Sequence, residues 1–306
     1  MDRHFVSLLL VSAVGLAAPL LFAALGEVVS ETAGVINIEL EGMMLAGAFC
    51  GVWGAFESGN VAVGFLAAAA GGILVAGAHG VVCFVFRANQ VVSGVVLNVL
   101  VLGLTTFGLA VVFESNLARQ VSTLENLRIP GLASVPVVGR AFFDQDAGVY
   151  AAFLLVPVLW FVLNRTALGL ALKAVGERPQ AAESLGLRVN PMRWAALLAC
   201  GALAGVGGAQ LTLAGLGAFT QNVTAGRGFI ALAAVVFGRW RPVGTMAAVL
   251  LFAVADALQI RAQALGIHIP YQFLVMLPYL VTILALAGLV RRMRPPAYLG
   301  VNYQRE

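Results

Sequence analysis

The sequence predicts an all-α protein, a polytopic transmembrane helical bundle of about nine segments, within a range of about eight to ten. Three observations predict it. Of the 306 residues, 61% are apolar and only 10% charged, against about 45–50% and about 25% in ordinary soluble domains. The apolar residues form long blocks: 4–26, 61–86, 88–113, 147–164, 194–226 and 262–290 contain no Asp, Glu, Lys or Arg. A hydrocarbon core about 30 Å thick needs roughly 20 such residues per helix, which these blocks supply. A soluble enzyme, a disulfide scaffold and a nucleic-acid reader are excluded together. The net charge of +4 does not revive the last, because the basic residues stand at the ends of apolar runs and form no patch interleaved with aromatics.

In chain order the expected spans are 5–26, 36–56, 60–86, 90–113, 147–164, 193–217, 220–238, 242–261 and 270–290, in a single transmembrane domain over 1–306. The first could pass for a signal peptide, but its apolar length and the spans that follow favour an uncleaved helix. Two loops separate the spans most widely. The loop 114–146 carries Arg119, Arg128 and Arg140 against Glu114, Glu125, Asp144 and Asp146. The loop 164–193 carries Arg165, Lys173, Arg178, Arg188 and Arg193 against only Glu177 and Glu183. Basic residues near membrane ends are retained in the cytoplasm, so 164–193 is expected inside and 114–146 outside. The arginine-rich tail 291–306 belongs inside too, and the four intervening spans agree with that. Nine crossings put the amino terminus outside, whereas Arg3 favours the inside, and a re-entrant 27–42 would reverse the count; both topologies stay open.

Cys50, Cys83 and Cys200 lie far apart inside apolar runs and read as small buried hydrophobes. Gly47 with Gly51, Gly201 with Gly205, and the cluster Gly205, Gly207, Gly208 suit close helix packing rather than a gating hinge.

Three stretches carry polar chemistry. Within 27–42 stand Glu27, Glu31, Glu39 and Glu41 without a basic neighbour. Carboxylates at membrane depth are costly and face protein or a watery cavity. Glu27 and Glu31 fit either that or an interfacial position in water, whereas Asn37 and Glu41, one turn apart before an apolar run, read as a buried polar pair near a pathway. The stretch 219–242 begins polar and glycine-rich, and its apolar core 229–237 is too short to span alone. Non-helical backbone at that depth lines cavities and marks transport sites, which nominates Gln221, Asn222, Thr224, Arg227 and Phe229. Asp256 is expected to bridge to Arg227 or Arg261 rather than relay protons. A pathway is expected to gather Asn37, Glu41, Asn98, Gln210, Asn222 and Phe229 near one cavity, though Asn98 and Gln210 also suit plain bonds between helices.

The third stretch is GERPQAAESLG. Pro179 suits a helix start and Gly186 its stop, and two turns are marginal without a docking partner. The expected apolar face is Ala181, Ala182 and Leu185, and the polar rim is Glu177, Arg178 and Glu183. A loop with one helical turn fits as well. Enzyme readings fail: Val91 stands where a serine protease motif at Ser93 needs glycine, and His4, His79 and His268 are too dispersed to bind a metal. Lys173, the one lysine, follows Leu172, so the chain has no P-loop. No cofactor is implied.

The segments AGVINIELEGMMLAGAF (33–49), NQVVSGVVLNVLVLGLT (89–105), LGLALKAVGERPQAAESLGL (168–187), GALAGVGGAQL (201–211), GRGFIALAAVVFGRWRPVG (226–244) and LPYLVTIL (277–284) carry a resemblance. The chain resembles the permease subunits of bacterial ABC importers that serve nucleosides and simple sugars, relatives of the branched-chain amino acid permeases. Glu39 departs from the pattern, which has glycine or another small residue there. The resemblance implies a type II-like importer permease in the bacterial cytoplasmic membrane, surrounded by lipid, with a pathway at the interface of two permeases. The implied partners are an ATPase subunit with two ATP-binding domains, an external substrate-binding lipoprotein and a second, longer permease in a heterodimer. It makes 177–186 the coupling helix. The cargo reads as a neutral solute, a nucleoside before a sugar such as ribose. An ion-coupled secondary transporter or channel using the 27–42 carboxylates and Asp256 is the alternative.

Overall fold

A computed structural model describes residues 3–113, 121–136, 138–264, 276 and 294–303. The span expected at 270–290 lies outside the described residues. Eleven α-helices occur among them: α1 Arg3–Thr32, α2 Leu40–Ser58, α3 Val61–Gly80, α4 Gln90–Val112, α5 Gly139–Phe143, α6 Ala147–Arg165, α7 Ala167–Glu177, α8 Pro179–Ser184, α9 Val189–Ala209, α10 Arg227–Phe237 and α11 Pro242–Ala264. α3 and α9 continue as π-helix through Val85 and Leu216. Six are long and apolar enough to cross a membrane: Phe5–Thr32, Val61–Val85, Gln90–Val112, Ala147–Arg165, Val189–Leu216 and Pro242–Gln263. The protein is a multi-pass helical membrane protein. α2 lies within the same bundle, with Glu41 and Glu57 near its two ends lowering its apolarity.

Local chemistry sets the helix starts. The side chains of Asn60, Asn89, Asp146 and Thr166 accept from backbone N–H groups in the first turns of α3, α4, α6 and α7, the pairing that leaves fewest orphan donors. Gly59 ends α2 at φ +65 and supplies the left-handed residue its cap requires.

α1, α2, α3 and α9 form the core, and small residues let them close on one another. A Cβ on Gly205 would strike the Ala68 carbonyl, and one on Gly72 the Gly201 carbonyl. In lipid no hydrophobic force drives helices together, so this backbone approach supplies the packing instead. The glycines do serve close packing, as the sequence reading expects. α4 is peripheral and exposes Val92, Val95, Val99, Leu104 and Phe107.

Two ends of the bundle are distinguishable. At one, Gln145 donates to the Val11 carbonyl and Arg261 to the Leu8 carbonyl and Ser12 hydroxyl, which places the last residues of the 114–146 loop and the end of α11 beside the first half of α1. At the other, Glu31 near the end of α1 meets Trp240, and the backbone N–H of Gly300 in the tail donates to the Gly34 carbonyl. α1 therefore traverses the bundle, and its start shares an end with the 114–146 loop. That loop contains an unanticipated antiparallel ribbon, β1 Asn126–Arg128 against β2 Asp144–Asp146, in register Asn126 to Asp146.

The structure decides between alternatives that the sequence leaves open. α1 runs through Thr32, so Glu27 and Glu31 are buried inside a helix, not set in interfacial water. The stretch 27–42 is no re-entrant loop: the chain turns back at 33–39, where Gly34 takes φ +87. Arg261 bonds to α1, and among the described residues Asp256 makes no ion pair within 4.0 Å.

Candidate functional site

The stretch 217–226 is a run of turns, and α10 that follows has 11 residues. At 1.5 Å per residue it is about 16 Å long, half a hydrocarbon core. Its start is clasped by Glu41: Oε1 accepts from the Thr224 hydroxyl at 2.5 Å and the Gly226 N–H at 2.8 Å, and Oε2 from the Gly228 N–H at 2.6 Å. A carboxylate here satisfies orphan N–H groups and meets the positive end of the helix dipole. Gly228 is required for the approach, since a Cβ there would collide with the Glu41 backbone. Asn222 and Ala225 hold φ +54 and +45, a conformation most non-glycine residues avoid. Such backbone clusters at functional loops.

The six residues expected in one cavity are divided. Asn37 donates from Nδ2 to Glu27 at 2.7 Å and lies 3.4 Å from Cys200 Sγ, so its partner is not Glu41. The two were read as a pair because they are one turn apart, but α2 begins only at Leu40 and their helical phase is not shared. Asn98 braces the same break: it accepts from the Gly42 N–H at 2.7 Å and donates to the Ile38 carbonyl at 2.8 Å. Asn37, Glu41 and Asn98 thus hold backbone and buried carboxylate.

Gln210 lies elsewhere. It donates to Asp146 Oδ1 at 2.8 Å and, with Ser12, Pro19, Val223, Arg227 and Ile260, lines a cleft of about 390 Å³ near the 114–146 end. Of the six, only Gln210 lines it. Asn222 precedes its Val223 and Phe229 follows its Arg227 by two residues, and both are exposed, Phe229 by 48%. Of the other residues nominated in 219–242, Gln221 is exposed, Thr224 is consumed by Glu41, and Arg227 donates to the Val223 and Thr224 carbonyls. Ser12 and Asp146 line the cleft, and sequence reading nominated neither. Asp146 was counted only as loop charge, and its role as the α6 cap next to Gln210 depends on the fold.

Glu39 has a partner the sequence could not name. Both it and His79 are fully buried, with His79 Nδ1 3.2 Å from Glu39 Oε2 and 3.2 Å from Ser93 Oγ. This links the α1–α2 turn to α3 and α4.

At the opposite end, α8 starts at Pro179, and Gly186 takes φ +86 just past its end, as the start and stop signals require. Its facing differs from expectation. Ala182 is 2% exposed and packs on Val175 and Val189 of its own chain, whereas Ala181 is exposed and Leu185 is 82% exposed. The helix is six residues long, and its inward side must cover the α7–α9 junction, so Ala182 is not available to a partner. Glu183 accepts from the Tyr303 hydroxyl and Glu177 from the Ala297 N–H, which ties both rim carboxylates to the tail. Arg178 is exposed.

Residues 9–286 match the family described as branched-chain amino acid transport system / permease component. The chain belongs to this family. It is 40% identical over 297 residues to the guanosine ABC transporter permease protein NupQ of Bacillus subtilis, covering 94% of this chain and 93% of that one. To the nucleoside ABC transporter permease protein NupC of Lactococcus lactis it is 39% identical over 294 residues, 93% of each. It is 41% identical over 268 residues to TsgC13 of Haloferax volcanii, which carries a provisional name as a glucose ABC transporter permease, with 86% and 80% covered. A weaker likeness, 26% over 251 residues, joins it to NupB, a second nucleoside ABC transporter permease protein of Lactococcus lactis, with 77% and 68% covered. The half-helix and its clasp are thus features of a transport permease.

Proposed function

We propose that this chain is the membrane-spanning permease subunit of an ATP-driven importer of nucleosides. The observation that carries the reading is the stretch 217–237, a polar non-helical lead into a half-length helix, whose Val223 and Arg227 line the Gln210–Asp146 cleft and which exposes Asn222 and Phe229. Interrupted helices of this kind build substrate sites in transporters. A nucleoside asks for an aromatic or apolar surface for its base and a few polar groups for its ribose hydroxyls, the usual composition of a selective pocket. Phe229 offers the first, and Gln210, Asp146 and Asn222 the second. Asn37, Glu41 and Asn98 support that pathway from behind as positioning residues.

The architecture we propose has nine segments. The described chain supplies α1, α2, α3, α4, α6, α9, 217–237 and α11, and 270–290 stands as the ninth on its sequence. The 164–193 loop and the tail face the cytoplasm of a bacterial inner membrane, and the 114–146 loop faces outward with the amino terminus. The exposed side of α8, Ala181 and Leu185, with Arg178 beside it, enters an ATPase subunit that carries both ATP-binding domains. A lipoprotein delivers cargo from outside. NupC and NupB, two permease proteins of one organism, favour a heterodimer with a second permease.

Proteoliposomes with the whole transporter test this. Guanosine uptake should need ATP and survive collapse of ion gradients; uptake that follows an ion gradient without ATP returns the reading to a secondary transporter. Titrating the cognate lipoprotein with nucleosides and pentoses separates nucleoside from sugar.

A further inference from the structure

Between α6 and α11, at the end where α8 lies, the structure holds an open cleft of about 970 Å³. Its mouth carries Arg165, Arg239 and Arg241 with Asn164, and among the described residues no carboxylate lines it. Its wall is Trp160, Phe237, Val243, Ala247, Ala248 and Leu251. Among the described residues, none of these three guanidinium groups stands within 4.0 Å of a carboxylate. Arg165 lies over the Trp160 ring, 5.9 Å from its centroid.

The turn that carries two of these arginines is fixed. Arg239 and Trp240 hold φ +55 and +56, and their N–H groups bond to the Val236 and Val235 carbonyls at 3.1 Å. The Trp240 indole donates to the buried Glu31 carboxylate, which pins the turn to α1. Strained backbone persists where surrounding contacts over-determine it, and here it holds Arg239 and Arg241 outward on either side of an anchored tryptophan. Below the mouth, exposed apolar side chains continue along both helices, with Leu154 and Val158 on α6 and Val254 and Leu258 on α11.

We propose that this cleft binds an anionic phospholipid, with the headgroup phosphate held by Arg165, Arg239 and Arg241 and the acyl chains lying along the α6–α11 wall. The charge selects a phosphate whose net charge is not cancelled, as in phosphatidylglycerol or cardiolipin. The apolar wall selects a ligand with chains, which a free phosphate lacks. Basic pockets between membrane helices at the cytoplasmic side are suited to such headgroups, and tryptophan sits at that level of a bilayer. The site is separate from the Gln210 cleft, and the proposal does not depend on the cargo.

Native mass spectrometry of the intact transporter in detergent, supplied with equal phosphatidylglycerol and phosphatidylcholine, tests it. Wild type should retain the anionic lipid in excess, and each of Arg239→Gln and Arg241→Gln should lower that excess about fivefold. Arg188→Gln, an exposed arginine outside the cleft, should leave it unchanged. Inorganic phosphate at matching concentration should not displace the lipid; displacement to background assigns the cleft to free phosphate and overturns the proposal. Equal retention of both lipids by wild type, or undiminished excess in the Arg239→Gln/Arg241→Gln protein, also overturns it. So does loss of a partner subunit from that double variant with its lipid retained, which would make the arginines a protein contact.

Discussion

Glu41 and Gly228 meet through a 2.6 Å hydrogen bond from the Gly228 N–H to Glu41 Oε2, across 187 residues of chain. Together with the bonds from Thr224 and Gly226, this makes the first turn of α2 the receptor for the start of α10. A half-helix has few intrahelical bonds of its own, so its position is set by such external contacts. The relationship therefore fixes the non-helical lead that carries Asn222.

Glu41→Gln keeps the shape of the clasp but loses its charge and one acceptor. Charge-assisted bonds contribute about 1.5–3 kcal/mol each, roughly twice a neutral one. The expected outcome is a loss of about 2 kcal/mol and a marked fall in uptake. Glu41→Ala orphans the buried Gly228 N–H at about 1–3 kcal/mol and also the part-buried Gly226 N–H, and should cost more than the glutamine variant. Melting of the purified transporter in detergent measures the first effect, and uptake in proteoliposomes the second. Equal melting temperatures for wild type and Glu41→Ala would show that α10 is held by packing alone.

The clasp also shows what the sequence could and could not tell. The count of carboxylates in 27–42 and the weakness of 219–242 as a span were both legible, because burial cost and helix length are local arguments. Which carboxylate serves which backbone was not. Glu27, Glu31, Glu39 and Glu41 face Asn37, Trp240, His79 and 224–228 respectively, and three of those four partners lie far along the chain, brought near by the glycine seam between α9 and its neighbours. The start and stop of α8 were readable from Pro179 and Gly186, since both act on their own backbone. The side on which Ala182 lies was not, since two turns place it only once α7 and α9 are in position.

Glu39 and His79 should behave as one unit. His79 Nδ1 stands 3.2 Å from Glu39 Oε2, but neither Glu39 oxygen takes a hydrogen bond among the described residues, so removing one member strands a buried polar group at about 1–3 kcal/mol. His79→Gln or Glu39→Gln alone should lower the melting temperature more than the two together. The double-mutant cycle gives the coupling directly. Additive effects, within about 0.5 kcal/mol, would remove the pair from the account of this bend.

The glycine seam makes a positional prediction. Gly205→Leu must push α9 from α3 and should abolish accumulation of folded protein, because the obstruction is backbone of another helix. Gly77 and Gly103 have open space around their Cβ positions, and Gly77→Ala and Gly103→Ala should accumulate normally. Membrane abundance and fluorescence-detected size exclusion compare the three. Tolerance of Gly205→Leu would show that α3 and α9 are farther apart in the membrane.

The last prediction concerns coupling to the ATPase. Movement driven by ATP must enter the bundle from outside it, and a short helix whose inner side packs on α7 and α9 can pass displacement to both. Leu185 is 82% exposed directly after α8, an apolar side chain with no cover in its own chain, while Ala182 is 2% exposed and faces inward. Leu185→Glu should therefore leave the stability of the isolated permease within about 0.5 kcal/mol of wild type, as surface substitutions do. Placing a charge in a desolvated contact costs several kcal/mol, so the same variant should lose ATPase assembly and substrate-stimulated hydrolysis by about a hundredfold or more. Ala182→Arg should fail differently, by destabilising the permease before any partner is added, because its side chain has no room beside Val175 and Val189. Glu183→Gln should be mild, since a glutamine carbonyl still accepts from Tyr303. Pull-down of the ATPase on the permease, with thermal melting of each variant alone, distinguishes the two modes. Normal assembly and turnover in the Leu185→Glu protein would place the coupling surface off α8.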